Sequence, residues 1–284
     1  MNRPLTGWLD RRTDDYGPPA VDTPLHSFVV PAYGETPHLD TCLRSLASQL
    51  VPTPVVVSTS TPYDGLDAVC AEHGARLVVH EPNRGIGHDW NAALWAADTT
   101  WVTLAHQDDV YEPRYSRAIR DHVTAWPNDL LVFTDYYEIV DGARRPTVAM
   151  LRVKKVLLEV GFLGRRRLAR RRSKQRVLRL GNPIACPSAA LNTRRMTDFR
   201  FREGLAANMD WFAWLDIAAR DGGIGYVREA LLGHRIHGDT ETSAAISDGK
   251  RYQEDLEAFK TLWPMPVSRV LAAAYTRSYR INTV

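Results

Sequence analysis

The chain has 284 residues, 44% of them apolar, which is enough to bury one large core and argues against disorder as the dominant state. Its three cysteines, Cys42, Cys70 and Cys186, form no CxxC pair, and this predicts free buried thiols and no structural zinc site. Residues 1–23 contain no apolar signal-peptide core, and no stretch approaches about 18 uninterrupted apolar residues. We therefore expect a cytoplasmic protein.

The formal net charge of +3 is unevenly distributed. Residues 152–179 hold twelve Lys or Arg side chains and one carboxylate, Glu159, a local balance of +11, so the rest of the chain carries about −8. A segment of this kind can attract anionic lipid, an acceptor phosphate or nucleic acid. The alternative interpretation is a solvated arginine-rich helix face or loop, and composition does not decide between the two.

Short apolar runs alternate with helical patterns through the first half of the chain. This alternation favours parallel strands joined by right-handed helical crossovers, with ligands bound at the carboxyl ends of the strands. We therefore predict an α/β fold with a mostly parallel central sheet flanked by helices, and functional loops after Val30, Val57 and Ala105. The predicted strands cover residues 28–31, 54–58, 76–80, 101–105 and 130–135, and the predicted helices begin near residues 36, 64, 88 and 112.

The first helix has a well-marked start. Thr36 is the predicted N-cap and Pro37 the first helical residue, because a hydroxyl side chain suits the cap and proline suits the position after it. Spacings of three and four residues place leucines on one apolar face of this helix. These leucines are Leu39, Leu43, Leu46 and Leu50.

Beyond about residue 145 the alternation is lost. The basic segment comes first, followed by a predicted helix over residues 210–220, a strand over 231–237 and a last helix over 249–263. The sequence contains neither an internal repeat nor a Gly/Ser linker. We therefore expect the second half to pack onto the first.

The strongest local feature is His106-Gln-Asp-Asp, directly after the fourth predicted strand. Adjacent carboxylates at the end of a buried strand are unfavourable unless a cation or solvent compensates their charge. Mg²⁺ or Mn²⁺ held by one or two carboxylates keeps coordination positions for diphosphate oxygens and water, so Asp108 and Asp109 are candidate metal ligands. In the alternative interpretation, both aspartates only cap the helix that begins near Pro113.

Four further motifs accompany this one, in an order and at separations that are more specific than any single motif. They are Val30-Pro-Ala-Tyr-Gly-Glu, Asn83-Arg-Gly-Ile-Gly-His-Asp-Trp-Asn, Asn208-Met-Asp-Trp and His234-Arg-Ile-His-Gly-Asp. Over roughly residues 26–243 the set resembles the family 2 glycosyltransferases, and this implies the GT-A nucleotide-diphospho-sugar transferase fold with a helical C-terminal region. The implied parts are a polar leader (1–24), a nucleotide-sugar-binding half (25–145), an acceptor-binding and catalytic half that contains the basic segment (146–247) and the C-terminal helical region (248–284).

The resemblance implies which residues bind the donor. Pro31, Ala32, Tyr33 and Glu35 match the first nucleotide-binding loop, Asn83, Arg84, Gly85 and Asn91 match a segment that lies against the nucleotide, and Gln107 and Asp108 complete the set. The family commonly has an acidic residue after the second strand, whereas this chain reads Ser58-Thr-Ser, so hydroxyls are expected to substitute there. For Gly85, an ordinary turn residue is the alternative interpretation.

The resemblance also implies the metal ligands and the catalytic base. Asp109 is expected to be the more direct ligand, and His237 matches a histidine near the metal and the diphosphate, with a structural histidine as the alternative. Asp210 matches the base, with a helix-terminal carboxylate favoured by the dipole as the alternative. The metal, Mn²⁺ or Mg²⁺, would stabilise the leaving diphosphate. Asp210 would take the proton of the acceptor hydroxyl, with inversion at the anomeric carbon.

The acceptor is expected to bind in the second half of the chain. The candidate residues are Asn182, Ser188, Met209 and Trp211, with Trp211 either an aromatic platform for a sugar or a core residue. Expected partners are a nucleotide diphosphate sugar and a lipid-linked or cell-envelope glycan, such as a polyprenyl-linked acceptor. Residues 164–176 would contact an anionic membrane, which would place the protein at the inner face of the membrane, and no nucleic acid is expected.

Three other classes of protein remain open. A nucleotidyltransferase would also use paired aspartates on an α/β nucleotide domain, but the chain lacks a Gly-rich, Lys- or Arg-bearing phosphate loop after its first strand. A glycoside hydrolase would need two carboxylates and neither metal nor nucleotide. A catalytically silent protein that binds glycan, nucleotide or nucleic acid would explain the basic segment without any turnover.

Overall fold

The computed structural model describes residues 25–80, 82–145, 149–236 and 250–282. The strands in these ranges are β1 (His26–Tyr33), β2 (Val55–Thr61), β3 (Arg76–Val79), β4 (Trp101–Leu104), β5 (Val110–Tyr111), β6 (Asp129–Val140), β7 (Ala143–Arg144), β8 (Arg167–Leu168), β9 (Ala189–Asn192) and β10 (Gly223–Arg235). They form one sheet in the order β3-β2-β1-β4-β9-β6-β10-β5, with β7 paired to β6 and β8 paired to β10.

The central part of this sheet is mostly parallel. Strands β3, β2, β1 and β4 are parallel neighbours, and so are β6 and β10. Strand β9 runs antiparallel to both β4 and β6 and joins the two parallel sets. The predicted α/β class with a mostly parallel sheet is therefore confirmed, and β9 inserts a strand from the second half of the chain next to strands from the first.

The helices flank the sheet on both faces. They are α1 (Leu39–Ala47), α2 (Leu66–Glu72), α3 (Ile86–Leu94), α4 (Tyr115–Ala125), α5 (Ala149–Phe162), α6 (Arg171–Leu178), α7 (Met209–Ala219), α8 (Lys250–Lys260) and α9 (Met265–Asn282). Successive residues of a strand point to opposite faces: Val57 packs with the α1 and α4 side chains, and Val56 packs with those of α3 and α7. Each face of the sheet thus has its own apolar layer.

Two predicted helix starts are corrected by the structure. Helix α1 begins at Leu39 with His38 at the N-cap position, and Thr36 only accepts a 3.4 Å hydrogen bond from the His38 N–H. Because this helix ends at Ala47, Leu50 lies beyond it and is 59% exposed. Helix α4 begins at Tyr115 with Arg114 at the N-cap position, so the interpretation of Asp108 and Asp109 as caps of this helix is wrong.

Strand β10 is longer than predicted, because it begins at Gly223 rather than near residue 231. The early part of the strand is rich in glycine, which lowers its apparent strand propensity. The structure requires a glycine at position 225, since a Cβ atom there would overlap the imidazole ring of His122. Close packing of β10 against α4 therefore requires a glycine that makes the strand hard to predict from sequence.

The cysteine prediction is confirmed, because Cys42, Cys70 and Cys186 are all buried and free. Among the described helices, none combines the length and the apolar composition that crossing a bilayer requires.

Candidate functional site

The loop that follows β4 lies against the end of β1. These strands are parallel neighbours, so their carboxyl ends meet at the same edge of the sheet. The Gln107 side chain accepts a hydrogen bond from the Tyr33 N–H (3.0 Å) and donates one to the Tyr33 carbonyl (3.3 Å). The Tyr33 side chain remains accessible to a ligand, because it is 64% exposed. The two loops that the sequence predicted to bind the donor are therefore adjacent.

Asp109 is fully buried and is held by the end of β10. Its Oδ1 accepts a hydrogen bond from the Arg235 N–H (2.9 Å), and His234 Nδ1 lies 3.0 Å from Oδ1 and 3.2 Å from Oδ2. The antiparallel pairing of β5 with β10 places Leu232 opposite Tyr111 and so brings His234 to the carboxylate. Burial acts to lower the pKa of His234, but the nearby carboxylates of Asp109 and Asp108 outweigh burial and raise it.

His234 was missed as a site residue, although it opens one of the motifs quoted from the sequence. Of the two histidines in that motif, sequence reasoning selected His237, which lies outside the described residues. The choice between them depends on the register of β10 against β5, and local sequence does not specify a long-range register.

The residues of this loop form a set of potential metal ligands. One ligand atom each from His106, Asp108 and Asp109 lies within 4.8 Å of the others. The His106 Nε2 atom is buried without a hydrogen-bond partner, and burial lowers the pKa of this imidazole, which favours the neutral form that a metal ligand needs. The two carboxylates suit Mn²⁺ or Mg²⁺, whereas an imidazole is more typical of other divalent metals. The residues present therefore fit the predicted ion.

Asp210 lies in the first turn of α7 and is partly buried. Its Oδ2 accepts a hydrogen bond from Asn182 Nδ2 (2.8 Å), and its Oδ1 accepts one from the Trp211 N–H (2.7 Å). Burial raises the pKa of Asp210, although the Trp211 N–H and the positive charge of Lys154 act in the opposite direction. A raised pKa suits a general base, because a base works best when its pKa is close to the working pH.

Two residues connect Asp210 with the metal-ligand loop. The segment that contains Cys186 contacts both sides: Asn182 Nδ2 donates to Asp210 Oδ2, and the hydroxyl of Tyr111, two residues after Asp109, donates to the Pro187 carbonyl (2.7 Å). Burial raises the pKa of the Cys186 thiol, and the carboxylates of Asp210 and Asp109 raise it further. The positive charge of Lys154 acts on Asp210 and on His234, the partner of Asp109. The structure therefore brings the two predicted carboxylates to one site.

The loop before Asp210 is fixed by α8, a helix distant in sequence. The Glu254 carboxylate accepts hydrogen bonds from the N–H groups of Ala206 (2.6 Å), Ala207 (3.0 Å) and Asn208 (2.9 Å). Asn208 Nδ2 also donates to Asp255 Oδ1 (2.7 Å). Ala206 and Ala207 lie in the loop before α7, and Asn208 is the N-cap residue of this helix, so Glu254 fixes the chain that leads into the helix. Sequence reasoning missed Glu254, because this contact depends on how α8 packs.

A buried polar cluster lies at the carboxyl ends of β2 and β3. Ser60 Oγ donates to Asp89 Oδ2 (2.9 Å), and Asp89 is only 7% exposed. The other carboxylate oxygen, the Ser58 hydroxyl and both ring nitrogens of His80 are buried without a hydrogen-bond partner. Burial lowers the pKa of His80, and the carboxylate of Asp89 acts in the opposite direction. Sequence reasoning expected only hydroxyls here and missed Asp89, which α3 supplies.

The remaining predicted donor residues differ in exposure. Glu35, Asn83, Arg84 and Gly85 are exposed, and the Asn83 side chain accepts a hydrogen bond from the Gly85 N–H (2.8 Å). Pro31 and Ala32 lie in the last part of β1. Asn91 is buried. Its Nδ2 donates to the Phe201 carbonyl (2.9 Å), and its Oδ1 accepts a hydrogen bond from the Phe201 N–H (2.7 Å). Asn91 therefore ties α3 to the second half of the chain, which corrects the expectation of direct donor contact.

The predicted acceptor residues are corrected in the same way. Ser188 and Trp211 are 0% exposed and Met209 is 3% exposed, so their side chains support the site from the core. The Trp211 ring packs against Phe259 and Tyr275, which agrees with the core interpretation left open by the sequence. Asn182 is the one of the four whose side chain bonds Asp210.

Solved structures with the same architecture are known. The chain superposes on S. aureus TarS 1–349 in complex with UDP-GlcNAc with a TM-score of 0.60 and 16% identity, covering 88% of this chain and 71% of that chain. It superposes on the mannosyltransferase PcManGT from Pyrobaculum calidifontis, in complex with GDP-Man and Mn²⁺, with a TM-score of 0.58 and 18% identity, covering 95% and 74%. The fold is therefore the GT-A glycosyltransferase fold, as predicted.

Sequence comparison gives the family. Residues 27–201 match the family described as Glycosyl transferase family 2, and the chain belongs to this family. It is 33% identical over 116 residues to the succinoglycan biosynthesis protein ExoO of Rhizobium meliloti (strain 1021), covering 38% of this chain and 32% of ExoO. The chain spans about a third of the length of the curated relatives it matches.

Proposed function

We propose that the chain is an inverting, metal-dependent glycosyltransferase that moves a sugar from a nucleotide diphosphate donor to a hydroxyl acceptor. The observation that carries this proposal is that one segment, residues 182–187, bonds Asp210 through Asn182 (2.8 Å) and bonds Tyr111, which lies two residues after Asp109, through the Pro187 carbonyl (2.7 Å), beside the carboxyl ends of the parallel strands. One carboxylate belongs to a set of metal ligands, and the other has a raised pKa.

The metal would be held by Asp109 and Asp108, with His106 available as a nitrogen ligand. We assign the ion contact of Asp109 to Oδ2, because Oδ1 has the shorter contacts with Arg235 and His234. When bound, the ion neutralises charge on the departing diphosphate. His237 remains a proposed further ligand.

Asp210 would act as the general base. The acceptor hydroxyl attacks the anomeric carbon on the face opposite the diphosphate, a new C–O bond forms, and the bond to the diphosphate oxygen breaks. Its electron pair leaves with the diphosphate, while the acceptor proton passes to Asp210. Asn182 would orient Asp210 through the 2.8 Å hydrogen bond to Oδ2, since a base must be held in a fixed geometry.

The base of the nucleotide would be recognised by the polar cluster of Ser58, Ser60, His80 and Asp89. The unpartnered Asp89 oxygen can accept the ring N–H of uracil or guanine, and the solved relatives TarS and PcManGT are described with UDP, UDP-GlcNAc and GDP-Man. We expect Asp89→Asn to weaken binding of the preferred nucleoside diphosphate about tenfold or more, because a buried bond to a charged group is lost. Titrations with UDP, GDP, ADP and CDP check this, with exposed Asp67→Asn as the control; equal affinities in Asp89→Asn and wild type would refute the role.

The donor phosphates and sugar would lie along Tyr33, Glu35, Arg84 and Gln107, which are exposed or half-buried at this edge of the sheet. Arg84 supplies positive charge for the diphosphate. The acceptor would be a glycan or polyprenyl-linked hydroxyl, as the name of ExoO suggests for succinoglycan.

The basic segment 164–176 would contact an anionic membrane from the cytoplasmic side. Part of it has a structural role, because Lys174 is buried and donates to the carbonyls of Arg220 (2.6 Å) and Gly222 (2.8 Å). Deleting the segment would therefore unfold the protein, and substitution of its exposed arginines is the appropriate test.

The decisive experiment is a screen of nucleotide sugars with and without Mn²⁺ that measures release of the nucleoside diphosphate. We expect Mn²⁺-dependent release from one donor, together with Mn²⁺ binding that electron paramagnetic resonance detects without any donor. Binding of a nucleotide sugar without turnover would instead favour the catalytically silent class. Turnover of a glycan without a nucleotide and unaffected by EDTA would select a glycoside hydrolase.

A further inference from the structure

Helix α5 has an apolar stripe that faces away from the core. Val153, Val156 and Val160 follow one another at spacings of three and four residues, which places them on one face of the helix, and Leu163 comes directly after its last residue. They are 53%, 60%, 59% and 57% exposed. The opposite face carries Leu151, Leu158 and Phe162, which are buried in the core.

These side chains contribute little to the core of the described residues, because more than half of each is exposed. A helix at the surface of a water-soluble domain normally has polar residues on its outer face. Three exposed valines in one row on the helix, followed by exposed Leu163, form an apolar patch, and such a patch indicates a binding surface.

The charged side chains around the stripe indicate the kind of surface that would bind it. The exposed cations of α5, of α6 and of the segment between them are Arg152, Arg165, Arg166, Arg170, Arg171 and Arg172. The carboxylate in this stretch, Glu159, is bound to Arg228 at 2.7 Å and 3.0 Å. An apolar helix face bordered by arginine is the composition of helices that lie in the interface of an anionic bilayer.

We propose that α5 docks on an anionic lipid surface, with the valine stripe in the interfacial layer and the flanking arginines at the headgroup phosphates. Helix α5 also carries Lys154, whose charge acts on Asp210. Docking would therefore hold the proposed catalytic site close to the lipid surface, where a lipid-linked acceptor is located. The docking itself goes beyond the proposed transfer activity and needs no donor sugar; only this link to the acceptor rests on the proposed function.

The test is co-sedimentation with phosphatidylcholine vesicles that contain or lack phosphatidylglycerol, without nucleotide. We expect wild type to bind the anionic vesicles. The double variant Val156→Ser/Val160→Ser should bind about tenfold more weakly, because two apolar side chains no longer enter the interface. Arg165→Gln/Arg166→Gln should bind about tenfold more weakly at low salt and lose part of the salt dependence.

The matched control is Leu50→Ser, since Leu50 and Val160 are both 59% exposed and Leu50 lies outside α5. It should bind like wild type. Circular dichroism melting should show every variant folded, because all the changed side chains are exposed. Vesicle binding by Val156→Ser/Val160→Ser equal to that of wild type overturns the proposal, and so does absence of binding by wild type. A wild-type dimer that this double variant converts to monomer, without vesicle binding, would show that a second copy covers the stripe, which also overturns it.

Failure of this proposal can be distinguished from failure of the proposed function. Release of nucleoside diphosphate from a soluble donor should be the same in Val156→Ser/Val160→Ser and wild type. If the wild-type chain turns over a donor but does not bind vesicles, only the docking proposal is wrong. If it binds vesicles but turns over no donor, only the transferase proposal is wrong.

Discussion

The loop at 106–109 and the start of α7 each present one carboxylate to the proposed site, and their surroundings differ. Asp109 is fully buried and its charge is matched by His234 and the Arg235 N–H. Asp210 is partly buried, is hydrogen-bonded by the neutral amides of Asn182 and Trp211, and has a raised pKa. The first carboxylate belongs to the set of potential metal ligands, and burial raises the pKa of the second, which helps it to take a proton near neutral pH.

The largest expected effect comes from Asp210→Asn, which removes the proton acceptor and changes little else. We expect kcat for transfer to fall about a thousandfold, while the affinity for the nucleoside diphosphate stays unchanged. Asp216→Asn is the matched control, because Asp216 lies on the same helix and forms an exposed ion pair with Arg202. Normal turnover in Asp210→Asn would remove this residue from the mechanism.

The next effect is expected from Asp109→Asn. The amide keeps the shape of the side chain and can still accept the Arg235 N–H, but it loses the negative charge that a divalent ion needs. We expect transfer to fall at least about a hundredfold and Mn²⁺ binding, measured by electron paramagnetic resonance, to weaken in parallel. Exposed Asp121→Asn is the control. Unchanged Mn²⁺ affinity in Asp109→Asn would show that the ion binds elsewhere.

Glu254→Gln tests whether the start of α7 depends on α8. The amide cannot satisfy three N–H groups as a carboxylate does, so we expect a loss of about 1–2 kcal/mol in the free energy of unfolding. We expect kcat to fall about tenfold, with nucleotide affinity unchanged, because only the base side of the site moves. The control is Glu257→Gln, on the same helix and paired with Lys260. A loss of nucleotide affinity in Glu254→Gln would contradict this division of the site.

The smallest effect is a shift in pH dependence. Asp210 must be ionised to act as a base, and burial raises its pKa, so activity should fall as pH drops through a value above the ordinary aspartate pKa of about 4. Asn182 stabilises the ionised form by its hydrogen bond. Asn182→Ala should therefore move the acidic limb of kcat to higher pH, by up to about one unit. A limb that stays in place, or moves to lower pH, would disprove the role of Asn182.

The part of the site formed by the loops after β1 and β4 was predictable from local sequence. Strand β2 and the loops after β1 and β4 follow from short apolar runs, and the carboxyl ends of parallel neighbours meet at one edge of the sheet. This reasoning predicts that Tyr33, Gln107 and Asp109 lie at one edge of the sheet. A motif match does not say whether a side chain faces the ligand or the core, so both interpretations stayed open for Trp211, and a donor contact was predicted for Asn91, whose amide bonds Phe201 instead.

The sequence by itself determined the α/β class, the family resemblance and the two carboxylates, because periodicity and short motifs are local properties of the chain. Only the tertiary structure decided which groups surround those carboxylates. His234 reaches Asp109 through the pairing of β10 with β5, Glu254 reaches the start of α7 through the packing of α8, and Asp89 reaches Ser60 from α3. Contacts between residues far apart in sequence depend on strand register and helix packing, which local pattern does not encode.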